Sequence, residues 1–189
     1  TLFVHKIAGA LADQGRDLHA VTRAAERVID GVASIGMSLD TCTIPGSPKE
    51  DRIALDKAEL GLGIHGEAGV SQVTFEGARH AMEMVTEKLV PYAGKGPHAV
   101  LLNNLGGATP LEMSILAEEL MRSPLGNRVK LTIGPAPLMT SLDMRGFSVS
   151  ILPLTPEDEA ALMAPVEPIA WPGATAPSEV RALPLPDGL

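Results

Sequence analysis

Apolar residues recur along the chain at two spacings, and the alternation between them sketches its elements. Residues 3–13, rich in Ala and Leu, predict a helix with Gly15 near its stop. Asp17 is placed to cap a second helix, LHAVTRAAERVIDGVASIG, where Leu18, Val21, Ala25, Val28, Ile29 and Val32 recur at helical spacing and Gly36 ends the run. SLDTCTIP predicts a short strand closed by Pro45, and the polar, turn-rich GSPKEDRIALDKAE predicts a loop. ELGLGIHG predicts a strand whose glycines permit close backbone approach, followed by a loop over residues 66–72. TFEGARHAMEMVTEKLV predicts a helix with Thr74 as its cap. HAVLLNNLG, bounded by Pro97 and Gly106, has the unbroken apolar character of a strand buried on both faces. Before PLEMSILAEELM, Thr109 can cap, Pro110 takes the first helical position and Glu112 completes a capping box. VKLTIG and FSVSILPL predict two more strands, and TPEDEAALMA a short helix whose acidic first turn suits the helix dipole.

Strands alternating with helices predict an α/β layered domain. Several connections are too long for simple crossovers, so the expectation is a mixed, mostly buried sheet flanked by helices. From about Pro165 the composition shifts: PVEPIAWPGATAPSEVRALPLPDGL is dense in proline and alanine, as in an ordered tail passing into an extended linker. No internal repeat is visible.

Composition narrows the function classes. At 189 residues the chain is long enough for one domain with a sizeable core, and 45% hydrophobic against 20% charged residues argues against wholesale disorder. Only 3% of residues are aromatic, so the core must be aliphatic. The net charge of −8, with no cluster of basic residues, disfavours both nucleic acid and an anionic membrane surface as partners. Cys42 is the only cysteine and reads as a small strand residue; no intrachain disulfide can form, which fits a reducing compartment. With neither an apolar run of 18 residues nor a signal peptide, the expected location is the cytoplasm. The sequence begins at Thr1 inside an apolar stretch, which suggests a piece of a longer polypeptide.

The chemistry-bearing stretch is GLGIHGEAG, residues 61–69. His65 closes a run of small and apolar residues, and a histidine at a strand end in an α/β sheet is well placed, because ligands collect there. Gly63, Gly66 and Gly69 would let a small ligand approach the main chain, and Glu67 could orient the ring or face solvent. The plain alternative is a loop histidine whose glycines serve turns. No metal site is indicated, since there is no second histidine at ligand spacing and no cysteine pair. The glycine spacing is wrong for a dinucleotide fingerprint, no Walker-type GKS or GKT occurs, and Ala93-Gly94-Lys95-Gly96 reads as a turn. Asn103 and Asn104 in NNLGGATP could hold a polar ligand beside a helix N-terminus or satisfy loop backbone. Thr140, Ser141 and Asp143 in TSLDM could enter a site or turn the chain. His5, Lys6, His19, His80 and His98 read as surface or capping residues.

Five stretches, HKIAGALA, ERVIDGVASIGMSLDTCTIP, ELGLGIHGEAG, LLNNLGGATPLEM and TSLDMRGFSVSILPL, resemble in this order the second half of the substrate-binding K domain of dihydroxyacetone kinases. The resemblance spans roughly residues 1–171, leaving 172–189 as a proline-rich tail or interdomain linker. In the family's GIHGEPG motif this chain carries Ala68 where proline is usual, with His65 and Glu67 intact.

The resemblance implies that His65 forms a covalent hemiaminal with the carbonyl carbon of dihydroxyacetone or a related short-chain hydroxyketone or hydroxyaldehyde. Gly63, Gly66 and Glu67 would line the substrate. Only the neutral imidazole has a lone pair to offer. Glycerol, similar in size but lacking a carbonyl, cannot form the bond. The first half of the K domain, expected to supply an aspartate and a histidine acting on the accepting hydroxyl, has no counterpart here. Nor does the helical L domain that would bind ATP and magnesium, so no cofactor is expected on this segment. The family implies a homodimer and a donor that is either ATP, which the tail favours, or a phosphorylated partner of the phosphotransferase system. Alternatives are a non-catalytic K-like sensor or coactivator, an erythrulose kinase, and a lipid-carrying α/β domain with a wide apolar cavity.

Overall fold

The computed structural model describes residues 1–61 and 71–178. Its helices are α1 (Leu2–Asp13), α2 (Leu18–Gly31), α3 (Ala78–Leu89), α4 (Pro110–Arg122) and α5 (Pro156–Met163). Its strands are β1 (Ala33–Ser38), β2 (Lys57–Leu60), β3 (Ser71–Thr74), β4 (His98–Asn104), β5 (Val129–Ala136), β6 (Gly146–Pro153) and β7 (Ala174–Thr175). They form one mixed sheet in the order β3-β2-β1-β6-β4-β5-β7. Only the β4–β5 pair is parallel among the described strands, and α4 makes the crossover it needs. The other neighbours are antiparallel, so β1, β4 and β5 run one way and β2 and β6 the other.

Two cores follow from strand alternation. Val100 and Leu102 of β4 point into a cluster with Val85 and Leu89 of α3 and Met113 and Leu116 of α4. Ala99 and Leu101 point the other way, into a cluster with Phe3, Ile7 and Leu11 of α1, Val28 of α2 and Leu162 of α5. This is the α/β layering expected from the sequence, and the central strand is apolar on both faces because both are covered.

The caps of α4 and α5 explain their starts. Thr109 accepts from the Glu112 amide while the Glu112 carboxylate accepts from the Thr109 amide, and Thr155 and Asp158 repeat the exchange in α5.

Three elements differ from the sequence expectation. The second helix ends at Gly31, and residues 33–38 are β1, paired along six residues of β6. Val32, with extended backbone, breaks the helix, and pairing on both sides of β1 outweighs the helical spacing that continues past it. Leu18 and Ile29 consequently face solvent, and Ala24 and Val28 carry the buried face of α2. Of SLDTCTIP only Ser38 is strand, as the last residue of β1, and the rest is irregular. Thr74 ends β3, a strand within what reads as loop and helix, and Gly77 is the N-cap of α3. In the proline-rich stretch, Ala174 and Thr175 pair with β5.

Candidate functional site

Strand register builds a polar floor next to the candidate loop. Ser34 of β1 pairs with Ser150 of β6, and Gly36 with Ser148. On β4, Leu101 pairs with Ser150 and Asn103 with Ser148. Because side chains alternate, these residues share one sheet face, the same one that α1 covers further along with apolar contacts. The Ser34 and Ser150 hydroxyls lie 2.6 Å apart. Gly61, the residue after β2, donates its amide to the Gly36 carbonyl at 2.7 Å, in a left-handed conformation with φ of 80° that suits glycine. Ser34, Gly36, Gly61, Asn103, Ser148 and Ser150 line an open cleft of about 310 Å³, closed on one side by Leu2 and Phe3.

The chain leaves this floor at Gly61 and returns at Ser71, which pairs with Leu60. Gly63, His65, Gly66 and Glu67 fall between these anchors, outside the described residues. β2 runs opposite to β1, β4 and β5, and the register through Gly61, Gly36, Ser148 and Asn103 brings its end level with the carboxyl ends of β4 and β5. The small side chains of the floor beside the loop make room for a ligand.

Where β4 ends, the polar residues singled out in the sequence organise loops. Asn103, 2% exposed, accepts from the amides of Leu138 and Met139 and donates to the Met139 carbonyl and the Ser148 hydroxyl. Asn104 accepts from the amides of Gly106 and Ala108 and donates to the Ala108 carbonyl. Both side chains are thus spent largely on backbone. Asp143 takes a left-handed backbone and accepts from the Thr43 hydroxyl at 2.8 Å, while the Ser141 amide donates to the Leu105 carbonyl. Cys42 packs against Leu105 and Met144 as a small apolar residue, in a loop and not in a strand.

Two residues read as surface groups are interior. Lys6 is 7% exposed, and its ammonium caps α5 by donating to the carbonyls of Ala161 and Ala164, with burial pushing its pKa down. His98 is completely buried at the start of β4. His5 and His19 are exposed, and His80 is half-buried beside Glu76.

The serines of the floor escaped the sequence reading. Their signal was the alternation in ASIG and FSVSI, a small polar residue at every second position, read there as helix in the first case and as a plain strand in the second. Among the described residues no group of His, Cys, Asp and Glu is arranged to hold a metal ion. No helix of the described chain is long and apolar enough to cross a membrane.

Residues 1–170 match the Dak1 domain, and the chain belongs to that family. It is 39% identical over 185 residues to the dihydroxyacetone kinase of Citrobacter freundii, an alignment covering 97% of this chain and 34% of that protein. The crystal structure of the C. freundii kinase in complex with AMP-PNP and Mg2+ superimposes with a TM-score of 0.90 at 38% identity, covering 96% of this chain and 34% of that one. The dihydroxyacetone kinase operon co-activator Dha-DhaQ aligns with a TM-score of 0.76 at 26% identity, over 87% of this chain and 53% of its own. The chain thus spans about a third of the length of the kinase it matches.

Proposed function

We propose that this chain is the substrate-binding part of a dihydroxyacetone kinase and holds the substrate carbonyl on His65. The observation that carries the reading is 39% identity to a dihydroxyacetone kinase across 97% of the chain. The cleft at the root of the His65 loop, where Ser34, Ser148 and Ser150 stand among glycines and apolar residues, supports it, since a three- or four-carbon polyhydroxy ligand needs little room and a few hydrogen-bond partners.

In the proposed step a neutral ring nitrogen of His65 attacks the carbonyl carbon. A nitrogen–carbon bond forms, the carbonyl π electrons move to oxygen, that oxygen takes a proton, and the ring sheds its other nitrogen-bound proton to solvent. The product is a hemiaminal with its terminal hydroxyl free to accept phosphate. Gly63 and Gly66 clear space for the ligand, and Glu67 lies close in sequence to influence the ring. The first K half, the ATP- and magnesium-binding L domain and a homodimeric partner belong to this reading as further parts of the protein. Residues 172–189 are its tail or linker. ATP is the preferred donor, an assignment supported by the AMP-PNP and Mg2+ in the related kinase structure.

The test is reductive trapping of dihydroxyacetone followed by intact-mass and peptide mass spectrometry. The adduct is expected on the peptide containing His65 and absent from His65→Ala, with the fold retained because one loop side chain contributes little packing. An adduct that persists in His65→Ala would refute the assignment. A second reading, a hydroxyketone-binding co-activator without turnover, is favoured by the likeness to Dha-DhaQ. Binding without phosphorylation by the complete protein would select it.

A further inference from the structure

A second cavity lies on the α3–α4 side of the sheet, at the end of β1. It is a slot of about 110 Å³ between the first turns of α3 and α4 and the ends of β1 and β6. Met37, Leu116 and Phe147, each less than 10% exposed, form its floor, and Phe75 and Ile115 its sides. The polar groups at its rim are Glu112 and Arg145, whose side chains pair.

That pair decides which ligand head the slot can meet. One Glu112 oxygen accepts from the Thr109 amide and hydroxyl, and the other from Arg145 Nη2, so both carboxylate oxygens are engaged. The Thr109 amide and Arg145 hold its pKa down at about 2, which keeps it ionised at any ordinary pH. Arg145 has capacity left, since among the described residues its Nε and Nη1 donate to no acceptor. Its main chain is fixed, the Arg145 carbonyl accepting from the Leu39 amide and the Ser38 hydroxyl. The slot therefore offers an apolar interior with a positioned guanidinium at its mouth, which suits an anionic head on a short apolar body.

We propose that this slot is a binding site for short-chain aliphatic carboxylates, with the carbon chain between α3 and α4 and the carboxylate on Arg145. Size sets the class. A cavity of about 150 Å³ accommodates benzene, so this one takes a chain of about four or five carbons. The tail of an ordinary membrane lipid is too long to lie within it. The site lies apart from the cleft at the His65 loop and is independent of the reading proposed for it.

Calorimetric titration of the complete protein with pentanoate, 1-pentanol and palmitate tests the proposal. Pentanoate is expected to bind saturably and to shift the NMR methyl signal of Met37. 1-Pentanol should bind at least about tenfold more weakly, and palmitate should give no methyl shift. Arg145→Gln should weaken pentanoate about tenfold or more, and Ile115→Trp, which fills the slot from its exposed side, should abolish it. Both variants should keep the wild-type circular dichroism spectrum and dihydroxyacetone binding. Absence of saturable pentanoate binding would overturn the proposal, as would equal affinity in Arg145→Gln or undiminished affinity in Ile115→Trp. A slot closed by another part of the complete protein would appear as the first of these.

Discussion

Two buried polar side chains on β4 show how differently the same strand treats its ends. Asn103 meets four partners, whereas neither ring nitrogen of His98 has a hydrogen-bond partner of good geometry among the described residues. Burial is the main cause holding the His98 pKa below its ordinary value, the Arg128 charge adds to it, and the Leu125 main chain opposes both. In the unfolded chain this histidine titrates near its reference value of about 6.5. Below that pH the unfolded state takes up a proton that the native state refuses, so stability rises with pH and falls on acidification until the native pKa is reached. Urea midpoints measured from about pH 7.5 to about pH 5, across that reference value, should therefore decline more steeply in the wild type than in His98→Leu. Parallel declines would mean that His98 protonates freely in place. At this scale the sequence was only partly readable. His65 stood out because glycines bared it. Nothing local distinguished Lys6 and His98 from surface residues, since their burial is decided by α5 and by the loop that ends at Arg128.

Among the elements, the polar stretch between β1 and β2 is more than a connection. Arg52 forks onto Glu59 of β2, with Nε to Oε1 at 3.0 Å and Nη2 to Oε2 at 3.1 Å, and Glu59 is only 3% exposed. Gln72 of β3 donates to the Arg52 carbonyl, and Ile53 is buried. The stretch thus straps the β2–β3 hairpin from which the His65 loop springs. Arg52→Ala strips a nearly buried carboxylate of its forked partner and should cost about 3 kcal/mol or more in denaturant unfolding. Arg52→Lys, which keeps the charge and loses the fork, should recover only part of this. A loss below about 1 kcal/mol in Arg52→Ala, the range of an exposed pair, would show that the strap carries little. Elements with strong local signals were legible in the sequence itself: α4 announces its cap, α5 its acidic first turn, and β4 its burial on both faces. β1 was not, because apolar residues continue at helical spacing from Val28 through Val32 to Ile35 and only long-range pairing with β6 selects the strand. β3 was hidden for a similar reason, being four largely polar residues that gain their conformation from β2.

At the scale of the whole molecule, the two cores and the single sheet account for one well-packed α/β unit, yet phosphoryl transfer asks for more than such a unit offers. It requires a bound donor, charge neutralisation by metal and cations, and alignment of the accepting hydroxyl. The kinase of C. freundii that this chain matches extends over about three times its length, and AMP-PNP and Mg2+ are present in a structure of that longer protein. Residues 1–189 are therefore expected to capture a hydroxyketone at most, without turning it over. The check is a coupled assay for dihydroxyacetone phosphate formation with ATP and magnesium, run on residues 1–189 after circular dichroism and cooperative unfolding establish that they are folded. The complete protein serves as the positive control. Turnover by the folded fragment within about tenfold of the complete protein would place the donor site within this chain and overturn the division of labour proposed for it. A folded fragment that traps dihydroxyacetone on His65 and forms no phosphate ester would assign carbonyl capture to this unit and phosphate delivery to the rest of the protein.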